Sequence, residues 1–334
     1  MERRQLGKSG LATSAIGLGC MGMSDFYGPT DRSESIVTLH AALDAGITLL
    51  DTGDFYGMGH NELLIREALS SRNRHNAQIS VKFGALRDVA RNWHGYDSRP
   101  AAVKNFLAYS LQRLGVEAID IYRPARLDPN VPIEDTIGAM AEMVKAGTIK
   151  HIGLSEVGSE TIRRAHATHP IADLQIEYSL LSRGIESDIL NTCRELGIGV
   201  TAYGVLSRGL ISGHWSKDRS GAQDFRRNSP RFQGENLDRN LALVESLRAI
   251  ANEVGASPAQ VAIAWVAAQG NDIVPLVGAR RRERMTEALG ALDVKLTGAH
   301  LTALAKAFPP GAASGNRYPD SQLVHMDSEK PATA

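Results

Sequence analysis

Leu49-Leu50-Asp51-Thr52-Gly53-Asp54-Phe55-Tyr56-Gly57 and, further on, Ser80-Val81-Lys82-Phe83-Gly84 decide the fold. Each reads as a short buried strand ending at once in an ionisable residue and a glycine-bearing loop. That is how a parallel-strand enzyme presents chemistry at the carboxyl ends of its strands. Together the two stretches supply a carboxylate, a phenol and an amine. A phenol with a pKa of about 10 is a poor acid at neutral pH, but a nearby ammonium favours the phenolate, and each pKa unit is worth about 1.4 kcal/mol. A buried Lys82 held by Asp51 beside Tyr56 is therefore expected to make Tyr56 a usable proton donor. Taken singly, each residue also has a structural reading: Asp51 as a turn cap, Tyr56 packed on a loop, Lys82 solvated.

Outward from these stretches, strand-like apolar runs alternate with amphipathic segments, the pattern of a parallel sheet with crossover helices. The runs predict strands at Ala15 to Leu18, Thr48 to Leu50, Gln78 to Val81, Ala118 to Tyr122, His151 to Leu154, Leu174 to Ile176, Gly199 to Ala202 and Ile273 to Val277. Helices are predicted at Ser33 to Ala45, Asn61 to Leu69, Pro100 to Leu114, Ile133 to Ala146, Ser159 to Thr168, Glu186 to Leu196 and Pro258 to Ala268. Gly46, Gly115, Gly147 and Gly197 each follow a helical pattern, where a left-handed cap suits glycine. Leu6-Gly7-Lys8-Ser9-Gly10-Leu11 reads as a hairpin turn. The polar segment Leu206 to Asn240 is longer than an ordinary connection and reads as a lid or a partner surface. After Phe308-Pro309-Pro310 the composition predicts a poorly ordered tail, 311–334. No internal repeat has a fixed period.

The apolar fraction of 43% and charged fraction of 22% are ordinary for a globular protein with a sizeable core. Thirty-seven basic and 37 acidic residues cancel, so no global field draws the chain to nucleic acid or an anionic membrane. Met1 to Gly7 lacks the apolar core of a secretory signal, and no run approaches the roughly 18 apolar residues needed to span a bilayer, so a cytoplasmic location is expected. Cys20 and Cys193 have no metal-ligand spacing, and no metal site is expected. No Gly-x-Gly-x-x-Gly follows an early strand and opens a helix, against a doubly wound dinucleotide domain; Gly17 to Gly22 has the wrong helix context.

Leu50-Asp51-Thr52 with Tyr56-Gly57 and Asn61-Glu62, then Lys82, then Gly153-Leu154-Ser155, resemble the aldo-keto reductases, from about Leu6 to about Leu292. The resemblance implies an α/β fold of the (β/α)8 TIM-barrel type, one domain over residues 1–310, with the N-terminal hairpin plugging the barrel's bottom. It also implies reduction of aldehydes or ketones with NADPH, hydride coming from nicotinamide and a proton from Tyr56. The family's quartet of Asp, Tyr, Lys and His departs here: in Asp120-Ile121-Tyr122-Arg123-Pro124-Ala125-Arg126-Leu127-Asp128, Ala125 stands at the histidine's place. Alanine cannot donate a hydrogen bond, and a lost oxyanion donor costs about 3 kcal/mol, so water, Arg123 or a loop histidine would replace it. His94 is the nearest such histidine by topology, although it also reads as an exposed loop residue. Trp93 and Tyr96 of the same loop, with Phe55, are expected to line the apolar mouth.

By resemblance, Ser155, Glu156 and Gln175 hydrogen-bond the nicotinamide carboxamide, Tyr203 stacks on its ring, and Gly204, Leu206 and Arg208 continue the cofactor site. Glutamate at 156, where asparagine is common, can accept from the amide but cannot donate. After the last strand comes Gly278-Ala279-Arg280-Arg281-Arg282-Glu283-Arg284. A strand ending in glycine and opening an arginine-rich helix suits phosphate, because free amides and the helix dipole add to guanidinium contacts. In the family this segment grips the 2′-phosphate of NADPH, so Gly278, Arg280, Arg281, Arg284 and Glu287 join the candidate cofactor set, led by Arg280 and Arg284. Two rivals stand beside the reductase: a slow, cofactor-binding regulatory subunit similar to the potassium-channel β subunits, and a sugar or alcohol dehydrogenase running oxidatively. The substrate is expected to be a small carbonyl compound, with substrate identity and oligomeric state left open.

Overall fold

The computed structural model describes residues 1–70, 76–215 and 224–330. A hairpin of β1 (Arg3–Gln5) and β2 (Ala12–Ser14) precedes eight parallel strands: β3 (Gly17–Gly19), β4 (Leu49–Gly53), β5 (Gln78–Phe83), β8 (Ile119–Pro124), β9 (Ile149–Ser155), β10 (Ile171–Glu177), β11 (Gly199–Tyr203) and β12 (Ile273–Gly278). They close in that order, β12 pairing back with β3, so the chain is a (β/α)8 barrel. A side ribbon of β6 (Ala85–Arg87) and β7 (Trp93–Tyr96) stands over the top.

The predicted strands and helices all appear, with ends shifted by a few residues. Helices α1 (Arg32–Asp44), α2 (His60–Ser70), α3 (Pro100–Leu114), α4 (Ile133–Lys145), α5 (Ser159–Thr168), α6 (Ile189–Leu196) and α8 (Pro258–Ala267) match their patterns. Gly115 and Gly197 cap α3 and α6 at φ 65° and 71°, conformations that cost other residues a Cβ clash. The hairpin closes the amino-terminal end of the barrel as expected. Leu6 and Leu11 bury against Leu49, Ile121 and Val274, and a Cβ on Gly7 would collide with the Gly197 carbonyl.

Two helices lie where no helix was expected. Most of α7 (Gly234–Glu253) falls beyond the supposed lid, which is short 3-10 turns and helix where described; residues 216–223 of it lie outside the described residues. α10 (Gly298–Ala307), following the arginine-rich helix α9 (Arg282–Leu289), opens on a capping box of Thr297 and His300. The tail is a correction. Residues 311–330 pack across the barrel top, with a short turn of helix at Asp320–Leu323 and Met326 3% exposed. Its apolar residues are few, and ion pairs of Arg317 with Glu156 and Glu177 tie it to the barrel; residues 331–334 lie outside the described residues.

Candidate functional site

β4 carries Asp51 to the barrel's upper interior, and the chain then turns sharply through Gly57 and Met58, both at φ 56°. The turn is anchored by Thr52, whose hydroxyl donates to Asn61 Oδ1 at 2.6 Å, while Asn61 Nδ2 donates to the Cys20 carbonyl at 2.9 Å. This fixes the start of α2 to β4 and leaves Tyr56 6% exposed, facing a cavity at the strands' carboxyl ends. Lys82, opposite Gly53 on the neighbouring strand, is ion-paired with Asp51 and holds its Nζ 5.1 Å from the centre of the Tyr56 ring. Ser80 Oγ and Gln175 Nε2 donate to the other carboxylate oxygen, at 2.8 and 2.7 Å. Asp51, Tyr56 and Lys82 are thus one cluster, brought together from two adjacent strands.

The electrostatics differ from the expected acidification of Tyr56. Burial, then the Asp51 charge, hold its pKa well above the usual phenol range; Arg126, not Lys82, is the principal cation pulling it down. Lys82 is itself pushed below the usual ammonium range by burial, against the Asp51 charge that holds it up. Tyr56 consequently carries its proton at neutral pH.

The cavity, 1520 Å³, is lined by Gly19, Asp51, Tyr56, Lys82, Ala125, Arg126, Ser155, Gln175 and Tyr203, and also reaches Gly278, Arg280, Arg281, Arg284 and Glu287. Gly204, Leu206 and Arg208 complete the wall between them. Phe55, Trp93 and Tyr96 all line this cavity. Phe55 lies edge-on to Tyr56 at 4.8 Å and to Trp93 at 5.8 Å, and Tyr96 also faces the cavity. Phe26 stacks on Trp93 at 6.1 Å, a member with no sequence signal beyond its position after β3.

The two side chains considered as replacements for the histidine are elsewhere. Arg123 is fully buried inside the barrel, donating to Asp173 at 3.0 Å, and His94 is exposed, bonded to Asp88 at 3.0 Å. Arg126, unremarked in the sequence, is the cation that lines the cavity at Ala125's side.

Glu156 does not present a free carboxylate to the cavity. Arg317 from the tail donates to it at 2.9 and 2.5 Å, Ser328 Oγ at 2.6 Å, and Tyr203 Oη at 2.7 Å. Burial alone would raise the Glu156 pKa, but the Arg317 charge and hydrogen bonds, then the Arg126 charge and the Ser328 bond, outweigh it and hold it far below the carboxylate range. Tyr318 follows Arg317 into the cavity, its hydroxyl 3.0 Å from Tyr203 Oη and its ring 4.1 Å from the Arg208 guanidinium. Ser155 is different: its hydroxyl is buried and lacks a hydrogen-bond partner. Among the arginines after β12, Arg282 pairs with Glu34, and Arg284 pairs with Glu287, whose other partner is His214. Arg280 donates to the carbonyls of Tyr27 and Pro29, and Arg281 has no acidic partner among the described residues.

The model of the aldo/keto reductase family matches residues 15–308 of this chain. The chain belongs to the aldo/keto reductase family. A soybean (Glycine max) relative, probable aldo-keto reductase 1, is 41% identical over 317 residues, covering 94% of this chain and 91% of its own length. The solved glycerol dehydrogenase AKR11B4 from Gluconobacter oxydans superposes with a TM-score of 0.83 at 28% identity, over 99% of this chain and 98% of that one. The aldo-keto reductase AKR11C1 from Bacillus halodurans gives 0.76 at 27% identity, over 92% and 96%. This aldo/keto reductase is therefore an oxidoreductase of carbonyl and alcohol groups. Among its described residues no helix is long and apolar enough to cross a membrane.

Proposed function

We propose that this chain reduces aldehydes or ketones to alcohols with NADPH, Tyr56 supplying the proton. The observation that supports it is the shared cavity: a protonated, buried phenol beside a lysine-aspartate pair opens into the same space as the arginine segment after β12. The residues fit the cofactor. Ser155 has an unpartnered hydroxyl to offer an amide, and Arg281 has no acid in ion-pair contact among the described residues, the nearby Glu34 being paired with Arg282. Ser155 and Tyr203 would hold the nicotinamide end, and Arg280, Arg281 and Arg284 the 2′-phosphate end. Bound there, NADPH supplies hydride.

The chain's own residues do the rest. Negative charge develops on the carbonyl oxygen as hydride arrives, and Tyr56 Oη gives that oxygen its proton. Lys82, held by Asp51, opposes the charge then left on the phenol. The aromatic mouth of Phe55, Trp93 and Tyr96 excludes water around the reacting oxygen. The likeness to a glycerol dehydrogenase favours a second direction, in which Tyr56 takes the proton from an alcohol through the same contacts.

Following the loss of NADPH absorbance with a panel of aldehydes, and its appearance from NADP with the matching alcohols, tests both directions. Turnover with carbonyls and a preference for NADPH are expected. Cofactor binding with no turnover in either direction would favour the regulatory-subunit reading instead.

A further inference from the structure

Arg126 lines the cavity beside the Tyr56 cluster with no carboxylate in ion-pair contact among the described residues. Its guanidinium donates to the neighbouring Ala125 carbonyl, at 2.6 Å. Arg208, which also lines the cavity, pairs with Glu177, Arg226 with Asp224, and Arg317 with Glu156. Burial works against the Arg126 charge, but Tyr203, Tyr318, Glu156 and Tyr96 outweigh it and hold its pKa above the usual guanidinium range. Glu156, the one acid among these, is already ion-paired with Arg317, so Arg126 is left with no carboxylate of its own.

Its position separates it from the cofactor phosphates. Arg126 follows β8, and four steps around the closed sheet, β8 to β5, β4, β3 and β12, lead to the strand before Arg280. It therefore stands across the barrel from the arginine segment. It is instead next to the strand of Lys82, and close enough to Tyr56 to be the main force lowering that pKa. The adjoining Ala125 fills little of the space.

We propose that Arg126 is the receptor for a carboxylate carried by the substrate, so that the carbonyl compounds this enzyme prefers are oxo acids. The proposal rests on the reductase reading of the same cavity. A planar guanidinium matches a carboxylate's two oxygens, and a single uncompensated charge matches a monoanion better than a phosphate dianion. In the reaction, hydride from the reduced nicotinamide adds to the carbonyl carbon and the Tyr56 proton to its oxygen. The C=O becomes CH–OH, the nicotinamide is oxidised, and the carboxylate stays ionised and paired throughout.

The test compares 4-carboxybenzaldehyde with its methyl ester, in the wild type and in Arg126→Met and Arg126→Lys. The wild type is expected to favour the acid, and the acid-to-ester ratio of kcat/KM to fall about 10- to 100-fold in Arg126→Met, mainly through KM, with part retained in Arg126→Lys. An unchanged ratio, or a wild type that favours the ester, overturns the proposal. Tryptophan fluorescence, with Trp93 at the mouth, gives a readout free of turnover. Benzoate is expected to quench the wild type at lower concentration than benzamide, and this difference to vanish in Arg126→Met. Equal binding of benzoate and benzamide, or tighter binding of phenyl phosphate, refutes the carboxylate receptor. If neither aldehyde is reduced while benzoate still binds selectively, the reductase reading fails and the receptor stands.

Discussion

Replacing Arg317 with methionine removes the clamp on Glu156 while keeping the length of the side chain. Glu156 is 0% exposed and Arg317 9%, so the variant leaves a buried carboxylate without its cation. Breaking such a pair costs about 3 to 5 kcal/mol. Ser328, Tyr203 and the Glu177 amide still donate to Glu156, which places the loss near the lower figure. An unfolding entropy of about 2 cal/mol/K per residue gives roughly 0.7 kcal/mol/K over 334 residues, so about 3 kcal/mol lowers Tm by about 4 °C. Glu156→Gln added to Arg317→Met removes the stranded charge and should recover at least half of that loss, a coupling that calorimetry on the two singles and the double reads directly. The pH dependence has a definite sign. Without Arg317, burial is expected to outweigh the Arg126 charge and the Ser328 bond and to raise the Glu156 pKa above its unfolded value, so the folded variant gains stability as pH falls, and the gap to wild type narrows from pH 7 towards pH 5. A Tm within 1 °C of wild type, or a double variant no better than Arg317→Met, would refute the clamp.

Arg281→Ala should weaken NADPH about 10- to 100-fold and NADH little, as seen by fluorescence titration of both, with Arg284→Ala milder because its guanidinium is shared with Glu287. Equal losses for the two cofactors would show that Arg281 does not read the 2′-phosphate. Ala125→His should raise the rate for small neutral aldehydes by supplying a donor to the developing alkoxide, and lower it for bulkier substrates; a uniform loss with intact NADPH binding would assign Ala125 to packing. The Asp54 carboxyl is pushed up to about 8, by burial first and then by Glu62. A carboxyl raised on folding favours the folded state at low pH and loses that contribution as pH rises towards 8, so Asp54→Asn should flatten thermal stability between pH 5 and 8. An unchanged slope contradicts the shift.

The barrel was legible because its determinants are local. Each strand is an apolar run, each of the quoted helices carries its period, and glycines such as Gly115 and Gly197 sit where a left-handed cap is required. The cluster of Asp51, Tyr56 and Lys82 was legible for the same reason, since adjacent strands of a parallel barrel bring their ends together. What stayed hidden depends on distant partners. Glu156 and Arg317 are 161 residues apart, so nothing in the polar tail announces that it folds onto the barrel, or that it carries Tyr318 into the cavity. Arg126 stood in the quoted segment, yet its role depends on which arginines find acids, and Arg123 beside it finds Asp173 inside the barrel. The lowered pKa expected for Tyr56 failed because burial and Asp51 act in the opposite sense to a nearby cation.

Tyr56→Phe tests the central claim most directly, because it removes the proton donor and keeps the ring against Phe55 and Lys82. Single-turnover oxidation of bound NADPH by an aldehyde should slow about a hundred- to ten-thousand-fold, while NADPH affinity stays within a few fold. Near-normal turnover in Tyr56→Phe would contradict it.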